Sequence, residues 1–303
     1  MLGQTRSHGI RGLSRGELRE LGLLYRQSAA DLSVLREDAA SQQFARYLNQ
    51  LLGRAHNTIY AGGKSSAADI LRFYRDAYPR IFRQTFRYTA AAFVLFAGGA
   101  LLGSLLTAVR PEFIHHMLGP RMVETIEQHK MWTESVVSIK PLASSGIMTN
   151  NLSVAFTTFA LGITAGLGTA YMLIFNGLLL GVIGAACWLA EMSLPLWSFV
   201  APHGVLELPA IFIAGGAGLM IARGLLFPGV LTRRDSLVAA GATAVRLLLG
   251  VIPMLVVAGV IEGFLSPSRL SAATKFLFAG VMAALLVSYL LSRPKQATAG
   301  SAP

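Results

Sequence analysis

Segment 202–224, PHGVLELPAIFIAGGAGLMIARG, carries three ionisable side chains within an otherwise apolar run. His203 and Glu207 are four residues apart and therefore share one face of a helix, while Arg223 lies near the end of the segment. Ionisable groups inside a membrane span are costly, so each is a candidate for function until a structural partner is found. An imidazole beside a carboxyl can bind a metal ion, exchange protons or form a hydrogen-bonded clamp.

The predicted topology brings two more carboxyls, Glu191 and Glu262, to the outer leaflet beside His203 and Glu207. Three interpretations of this cluster stay open. A metal site has the right ligand types, but no HExxH motif or second histidine indicates a hydrolytic zinc centre. A proton or cation relay is the second interpretation. The third, favoured on general frequency, is a clamp that pins three helices together and satisfies backbone groups freed by nearby prolines. We therefore predict no catalytic residue, no metal site and no cofactor.

Composition identifies the chain as a membrane protein. Of its 303 residues, 53% are hydrophobic and 14% charged, and the mean hydropathy is +0.55. A soluble helical protein would show polar faces that several of its apolar runs lack. Residues 1–90 hold 14 Lys/Arg against 7 Asp/Glu, and most of the remaining excess in the net charge of +11 lies at the ends of apolar runs. This distribution indicates contact with anionic lipid rather than nucleic acid. The single cysteine, Cys187, provides neither a disulfide framework nor a thiolate metal site.

The apolar runs predict an all-α, polytopic transmembrane helix bundle of about six spans behind an N-terminal cytosolic helical domain. Amphipathic periodicity from about Ser14 to Tyr78 predicts that residues 1–78 form the cytosolic helical domain. Residues 79–87 are predicted to form an interfacial helix. The transmembrane domain covers 88–292, with an outer loop at 109–151 and a disordered cytosolic tail at 293–303. The predicted spans are 88–108, 152–173, 176–190, 205–227, 238–262 and 273–292.

The second and third spans are the least clearly separated. Only Asn176 and Gly177 divide them, so a tight hairpin is favoured and half-membrane helices remain an alternative. Asn150 and Asn151 are expected to cap the second span. In the fourth span, Pro202 suits the first helical position.

Charge predicts the orientation. The chain begins with basic residues and no apolar segment behind them, so both termini are expected in the cytoplasm of a multi-pass bacterial cytoplasmic membrane protein. Arginines on the interfacial helix and near the inner ends of spans are expected to contact anionic lipid. These candidates are Arg80, Arg83, Arg87, Arg223 and Arg246.

Three ordered motifs resemble the stage II sporulation protein M family of integral membrane proteins. They are TNNLSVAFTTFALGITAGLGTAYMLIFNGLLLG (149–181), PHGVLELPAIFIAGGAGLMIARGLLFPG (202–229) and VVAGVIEGFLSPS (256–268). The segment RYLNQLLGRAHNTIY (46–60) is similar to the cytosolic domain of the longer, non-sporulation members. The resemblance marks signature positions without assigning catalytic residues: Asn150, Asn151, Asn176, Gly177, His203, Gly204, Glu207, Glu262 and Gly263.

The family's namesake is a membrane anchor that gathers peptidoglycan-remodelling enzymes. The resemblance thus implies an integral membrane scaffold that recruits proteins of the membrane or envelope, with lipid as its other partner and a homo-oligomer left open. A permease-like transporter subunit that uses the Glu/His cluster is the alternative, and an intramembrane metalloenzyme is the third. No GxxxxGK[ST] loop is present, so a transporter would need a separate ATPase or an ion gradient.

Overall fold

The computed structural model describes residues 14–37, 42–60, 66–131 and 140–293. All regular elements among them are helical, which confirms the all-α prediction. The helices are α1 (Arg15–Glu37), α2 (Gln42–Tyr60), α3 (Ala67–Arg72), α4 (Tyr78–Val109), α5 (Phe113–Met117), α6 (Pro120–Glu127), α7 (Lys140–Ala160), α8 (Leu167–Leu189), α9 (Ser193–Leu226), α10 (Arg233–Phe264) and α11 (Ala272–Leu291). A π-helical turn, Phe73–Ala77, joins α3 to α4. The chain divides into two compact units, Met1–Leu71 and Arg72–Pro303.

The N-terminal unit contains α1 and α2. A capping box starts α1: the Ser14 N–H donates to Glu17 Oε2 at 2.7 Å, and the Glu17 N–H donates to Ser14 Oγ at 3.3 Å. The backbone hydrogen bond from Ser14 is the main cause that lowers the pKa of Glu17 below its usual value. Among the described residues of this unit, the buried hydrophobic side chains are Leu21, Leu32, Ala45 and Ala55.

Five helical segments of the described chain are long and apolar enough to cross a membrane. These are Ala67–Val109, α8, α9, α10 and α11. Helix α7 is not among them because polar residues such as Lys140, Asn150 and Asn151 interrupt its first half. It nevertheless packs within the bundle, where Met148 contacts Gly259 of α10 and Thr158 contacts Gly218 of α9.

Side-chain neighbours give the direction of each long helix. Gly99 and Gly103 of α4 lie against Ile174 and Leu178 of α8, so these two helices are parallel. Helix α9 is antiparallel to α8 because Gly215 lies against Leu173 while Ala222, seven residues further on, lies against Gly166. It is antiparallel to α10 because its Gly224 meets Ser236, whereas its His203 meets Glu262.

Helices α4, α8 and α10 therefore run one way, and α9 runs the other way. Helix α7 runs with α9, because its Met148 lies against Gly259 near the end of α10 while its Thr158 lies against Gly218 of α9. Helix α11 also runs with α9, because Lys275 at its start donates to Ser266 in the turn after α10.

Tyr289, near the end of α11, donates a hydrogen bond to the carbonyl of Tyr74, just before α4. The start of α4 and the end of α11 thus lie on one face of the bundle, here called the terminal face. The opposite face, which holds Val109 and the turn between α10 and α11, is the loop face.

The predicted division at Asn176 and Gly177 is wrong. Helix α8 continues through both residues, and the break lies earlier, at 161–166, where Ala165 and Gly166 adopt positive φ. Asn176 donates to the Met172 carbonyl of its own helix at 2.7 Å instead of serving a turn. Gly177 is needed for packing, since an added Cβ would lie 2.0 Å from the Phe96 carbonyl oxygen. Two antiparallel helices, α7 and α8, replace the predicted hairpin and its half-membrane alternative.

Three further boundary predictions are wrong. Helix α9 begins at Ser193 instead of 205, and Pro202 lies in its interior rather than at its first turn. Asn150 and Asn151 lie inside α7, which begins at Lys140, so they do not cap a span. Residues 79–87 are the first turns of the continuous helix α4 and not a separate interfacial helix. The predicted loop 109–151 accordingly contains α5, α6 and the first half of α7, whereas residues 132–139 and the tail beyond 293 lie outside the described residues.

Candidate functional site

Three ionisable side chains meet where α9 and α10 pack together at the loop face. His203 and Glu207 lie one turn apart on α9, and Glu262 lies two residues before the end of α10. One potential ligand atom from each lies within 4.8 Å of the other two. His203 Nε2 is 3.9 Å from Glu262 Oε1, and their side chains are only 7% and 13% exposed.

The imidazole is fixed from its other side. His203 Nδ1 lies 3.0 Å from Oγ of Ser266, a residue 1% exposed in the turn after α10. The Phe199 ring, one turn earlier on α9, packs edge-on against the imidazole with centroids 5.6 Å apart. These contacts leave Nε2 directed toward Glu262.

The turn that carries Ser266 is itself tightly held. The Ser266 N–H donates to the Ile261 carbonyl at 2.9 Å. Lys275, in the first turn of α11, is buried and donates from Nζ to the Ser266 carbonyl at 2.7 Å. Ser271 caps α11 by accepting from the Thr274 N–H at 3.2 Å. Ser266 thus joins α9, through His203, to α11, through Lys275.

Direct hydrogen bonding within the cluster is incomplete in the described structure. Glu262 Oε2 is buried and lacks a hydrogen-bond partner in the described structure. The 3.9 Å separation of His203 Nε2 and Glu262 Oε1 exceeds hydrogen-bonding distance. A buried acceptor without a partner is uncommon and costs about 1–3 kcal/mol. Glu262 Oε2 is therefore an acceptor that no described side chain satisfies.

The fourth predicted member of the cluster, Glu191, does not belong to it. Glu191 is exposed, with φ +58°, in the turn between α8 and α9. The prediction failed because α9 starts at Ser193, which places His203 ten residues, or about 15 Å, along the helix. The first turns of α9 thus extend past the end of α10.

The predicted lipid-contact arginines divide into two groups. Arg83 is part-buried and donates to the Leu290 and Ser292 carbonyls, so it caps the end of α11 instead of extending to lipid. The other four side chains, those of Arg80, Arg87, Arg223 and Arg246, are exposed. Arg87 also lies over the Tyr88 ring at 4.9 Å. For these four residues, contact with anionic lipid stays a prediction.

Several of the family signature positions are buried in helix contacts. Gly204 and Gly263 are buried on α9 and α10 beside His203 and Glu262. Asn151 is buried in α7, and its Oδ1 accepts from exposed Asn150 at 3.3 Å. Asn150, Asn151, Asn176 and Gly177 lie outside the Glu/His cluster.

Two groups of functional interest were not predicted from the sequence. The first group, Lys275 and Ser266, lies next to the cluster. A lone lysine at the start of an apolar run was the sequence feature that could have indicated Lys275. At the terminal face, the buried Tyr78 ring stacks on Tyr289 with centroids 6.2 Å apart and fills the space beside Gly250. The four-residue spacing of Tyr74 and Tyr78 was the available signal.

The sequence pattern described as Stage II sporulation protein M matches residues 92–267, a range that includes His203, Glu207, Glu262 and Ser266. A domain of unknown function matches residues 1–61. An uncharacterized protein of Methanocaldococcus jannaschii is 42% identical over 76 residues, which are 25% of this chain and 43% of that relative's length. No solved structure matches. Because the family pattern covers more than half of the chain, this multi-pass helical protein belongs to the stage II sporulation protein M family.

Proposed function

We propose that the protein is an integral membrane scaffold for envelope assembly or remodelling, in which the helix bundle anchors an N-terminal unit that recruits a partner protein. One observation carries the proposal: large apolar side chains are exposed on both helices of the N-terminal unit. Val34 of α1 is 71% exposed, and Phe44 and Tyr47 of α2 are 72% and 66% exposed. Clustered apolar groups on an aqueous surface are typical of protein contact sites.

The small core of the unit supports the same proposal. Helices α1 and α2 have 23 and 19 residues, and two helices can bury only the faces that they turn toward each other. The whole unit, Met1–Leu71, is short, and chains of about 60–70 residues bury a smaller share of their surface on folding than larger domains do. A protein partner that covers the exposed apolar groups supplies the missing burial.

A groove between the helices indicates the form of that partner. Its volume is about 240 Å³, and its walls are mostly apolar. The lining residues are Leu21, Leu24, Tyr25, Ser28, Leu51, Leu52 and Ala55. An amphipathic helix that inserts one or two apolar side chains fits such a groove. The partner is therefore expected to offer a helix with an apolar stripe.

Family membership favours a scaffold over the other two hypotheses, since the family's namesake is a membrane anchor. The permease-like subunit and the metalloenzyme have no comparable support. Anionic lipids remain the second expected partner, through the exposed arginines of the bundle.

Site-specific photocrosslinking in native membranes tests the proposal. A photoreactive residue in place of Phe44 or Tyr47 of the full-length chain is expected to form one discrete adduct with a protein of the membrane or envelope. The matched control is the same probe at Asn49, an exposed polar position that lies about 140–160° around α2 from Phe44 and Tyr47.

The adduct should disappear when the gene of the protein identified in it is deleted. The adduct from the probe at Phe44 should also disappear when Tyr47→Ser is added to the same chain. Equal adducts from Asn49 and Phe44, or crosslinks only to lipid, would contradict recruitment by this surface.

A further inference from the structure

We infer that His203, Glu207 and Glu262 form a binding site for a divalent transition-metal ion of the zinc class, with Ser266 as the residue that positions the imidazole. The inference concerns the bundle and is independent of the N-terminal unit on which the scaffold proposal rests.

The spacing of the ligand atoms suits an ion at their centre. All three lie within 4.8 Å of one another, and the centre of an equilateral triangle of that side is about 2.8 Å from each corner. Zinc bonds to histidine nitrogen and carboxylate oxygen are about 2.0–2.2 Å long. Each ligand must therefore move inward by about 0.6–0.8 Å, a shift that rotation of the long glutamate side chains readily supplies.

The imidazole is oriented as a metal ligand. Its Nδ1 is hydrogen-bonded to Ser266 Oγ at 3.0 Å, which leaves Nε2 as the atom that faces Glu262. When Nε2 binds an ion, the proton resides on Nδ1 and is donated to the hydroxyl. A hydrogen-bond acceptor on the second nitrogen is a regular feature of histidine ligands, because it fixes the tautomer and the ring orientation.

The acidic groups lack another source of positive charge within this cluster. The Lys275 ammonium group donates to the Ser266 carbonyl, and neither Glu207 nor Glu262 forms a lysine or arginine ion pair among the described residues. Glu262 Oε2 is buried without a hydrogen bond. A divalent cation would neutralise the two carboxylates and give this oxygen a partner.

The ligand set narrows the class of ion. One imidazole and two carboxylates suit zinc, cobalt, manganese or ferrous iron, and the cluster has no thiolate to select softer ions. Three protein ligands leave at least one coordination position for water or another group. The ion would join α9 to α10 near the loop face.

Metal binding to the purified full-length protein tests the inference. After treatment with EDTA, the protein is titrated with Co²⁺ or Zn²⁺ in detergent. We expect about one equivalent of bound metal, visible Co²⁺ absorption bands and a higher melting temperature with Zn²⁺. Glu262→Gln and Glu207→Gln should each weaken binding at least about tenfold and remove most of the thermal shift. Ser266→Ala should weaken it less and alter the Co²⁺ spectrum, because the imidazole loses its orienting partner.

Glu191→Gln is the matched control, since it removes an exposed carboxyl outside the cluster and should leave binding unchanged. Equal affinities of the wild type and Glu262→Gln would overturn the inference, as would no metal retention by the wild type. If the variants fail to fold, X-ray absorption spectroscopy of the zinc-loaded wild type identifies the ligands of the ion. One histidine nitrogen with carboxylate oxygens supports the site, whereas several imidazoles contradict it and indicate adventitious binding at other histidines.

Discussion

At the scale of single residues, the terminal face depends on a chain of tyrosine contacts. Tyr289 of α11 donates to the Tyr74 carbonyl at 2.7 Å, and Tyr74 donates to the Leu249 carbonyl of α10 at 2.9 Å. The Tyr78 ring lies between them, stacked on Tyr289. These hydrogen bonds connect the segment before α4 to two other helices of the bundle.

Tyr289→Phe should lower the free energy of unfolding by about 1 kcal/mol, because it removes one hydrogen bond and leaves the ring packing intact. Thermal unfolding in detergent measures the effect. Tyr171→Phe, at a tyrosine that is 62% exposed on α8, is the control and should change the melting temperature little. Equal effects of the two substitutions would contradict a specific role for Tyr289.

A second residue-scale prediction concerns the start of α1. Because the hydrogen bond from Ser14 lowers the pKa of Glu17, the ionised carboxylate stabilises the folded capping box. This contribution is present above the unfolded-state pKa of a glutamate and is lost as the pH falls through the lower, folded-state pKa. Protection of the first turn of α1 from hydrogen exchange should therefore decrease in Glu17→Gln at pH 7. The difference from the wild type should close at acidic pH, after correction for intrinsic rates. Glu20→Gln, in the same helix, should show a smaller effect, and an unchanged difference down to pH 2 would exclude the carboxylate as its cause.

The Glu/His cluster was only partly predictable from residues. The spacing of His203 and Glu207 places both side chains on one helix face, and the antiparallel order of spans brings Glu262 to them. The prediction that Glu191 belongs to the cluster was wrong because α9 begins twelve residues before its predicted start at 205. Ser266 and Lys275 depend on the conformation of the turn between α10 and α11, for which the sequence offers no periodic signal.

At the scale of elements, α4 and α8 pack backbone to backbone through glycine. A Cβ on Gly99 would lie 2.2 Å from the Ile174 carbonyl oxygen, whereas a Cβ on the adjacent Gly98 would meet nothing within 4 Å. The contact is against backbone, so relief requires the helices to separate. Small residues that allow this close approach are a regular device of membrane bundles.

Gly99→Ala should therefore destabilise the bundle by about 1–3 kcal/mol, the usual range for overpacking. Gly98→Ala should be neutral or slightly stabilising, because alanine is the better helix former. The melting temperatures of the two purified variants provide the comparison. A Gly98→Ala variant as unstable as Gly99→Ala would show that helix flexibility, and not helix contact, sets the requirement for glycine.

Element boundaries were less predictable than element type. Apolar runs predict helices correctly, but hydropathy does not distinguish a turn at Asn176 from one at 161–166 when both segments are apolar. The decisive contacts are long-range: Gly177 packs on Phe96, and Thr169 Oγ1 donates to the Thr158 carbonyl at 2.6 Å across the break. The start of α9 was predicted too late because Pro202 was taken as a first-turn residue. Pro202 and Pro209 are in fact tolerated in the interior of this packed membrane helix.

At the scale of the whole molecule, the alternating helices place both ends of the bundle on the terminal face. Basic side chains concentrate there, at the start of α4, the end of α9 and the start of α10. They include Arg80, Arg83, Arg87, Arg223, Arg233 and Arg234. The bias of basic residues toward the cytoplasm predicts that the terminal face is cytoplasmic.

Labelling of single cysteines in sealed inverted vesicles tests this orientation. In a Cys187→Ala background, an impermeant maleimide should label cysteines introduced at Arg75 and Arg293 from the cytoplasmic side. Cysteines at Glu112 and Gln128, on the α5–α6 segment of the loop face, should react only after the vesicles are opened. Labelling of the two positions from opposite sides would show an odd number of crossings and would exclude a topology in which α4 and α7–α11 all cross the membrane.

The unequal lengths of α9 and α11 bear on the lipid environment. Helix α9 has 34 residues and is about 51 Å long, whereas α11 has 20 residues and spans about 30 Å, close to the hydrocarbon thickness of a typical bilayer. Helix α11 is therefore too short to span a thicker bilayer. Its first turn carries Lys275, which donates to the Ser266 carbonyl. Longer acyl chains would draw this buried ammonium group toward hydrocarbon, while α9 would accommodate them without change. Hydrophobic mismatch would thus act first at the turn that orients His203, which couples the geometry of the polar cluster to the thickness of the surrounding membrane.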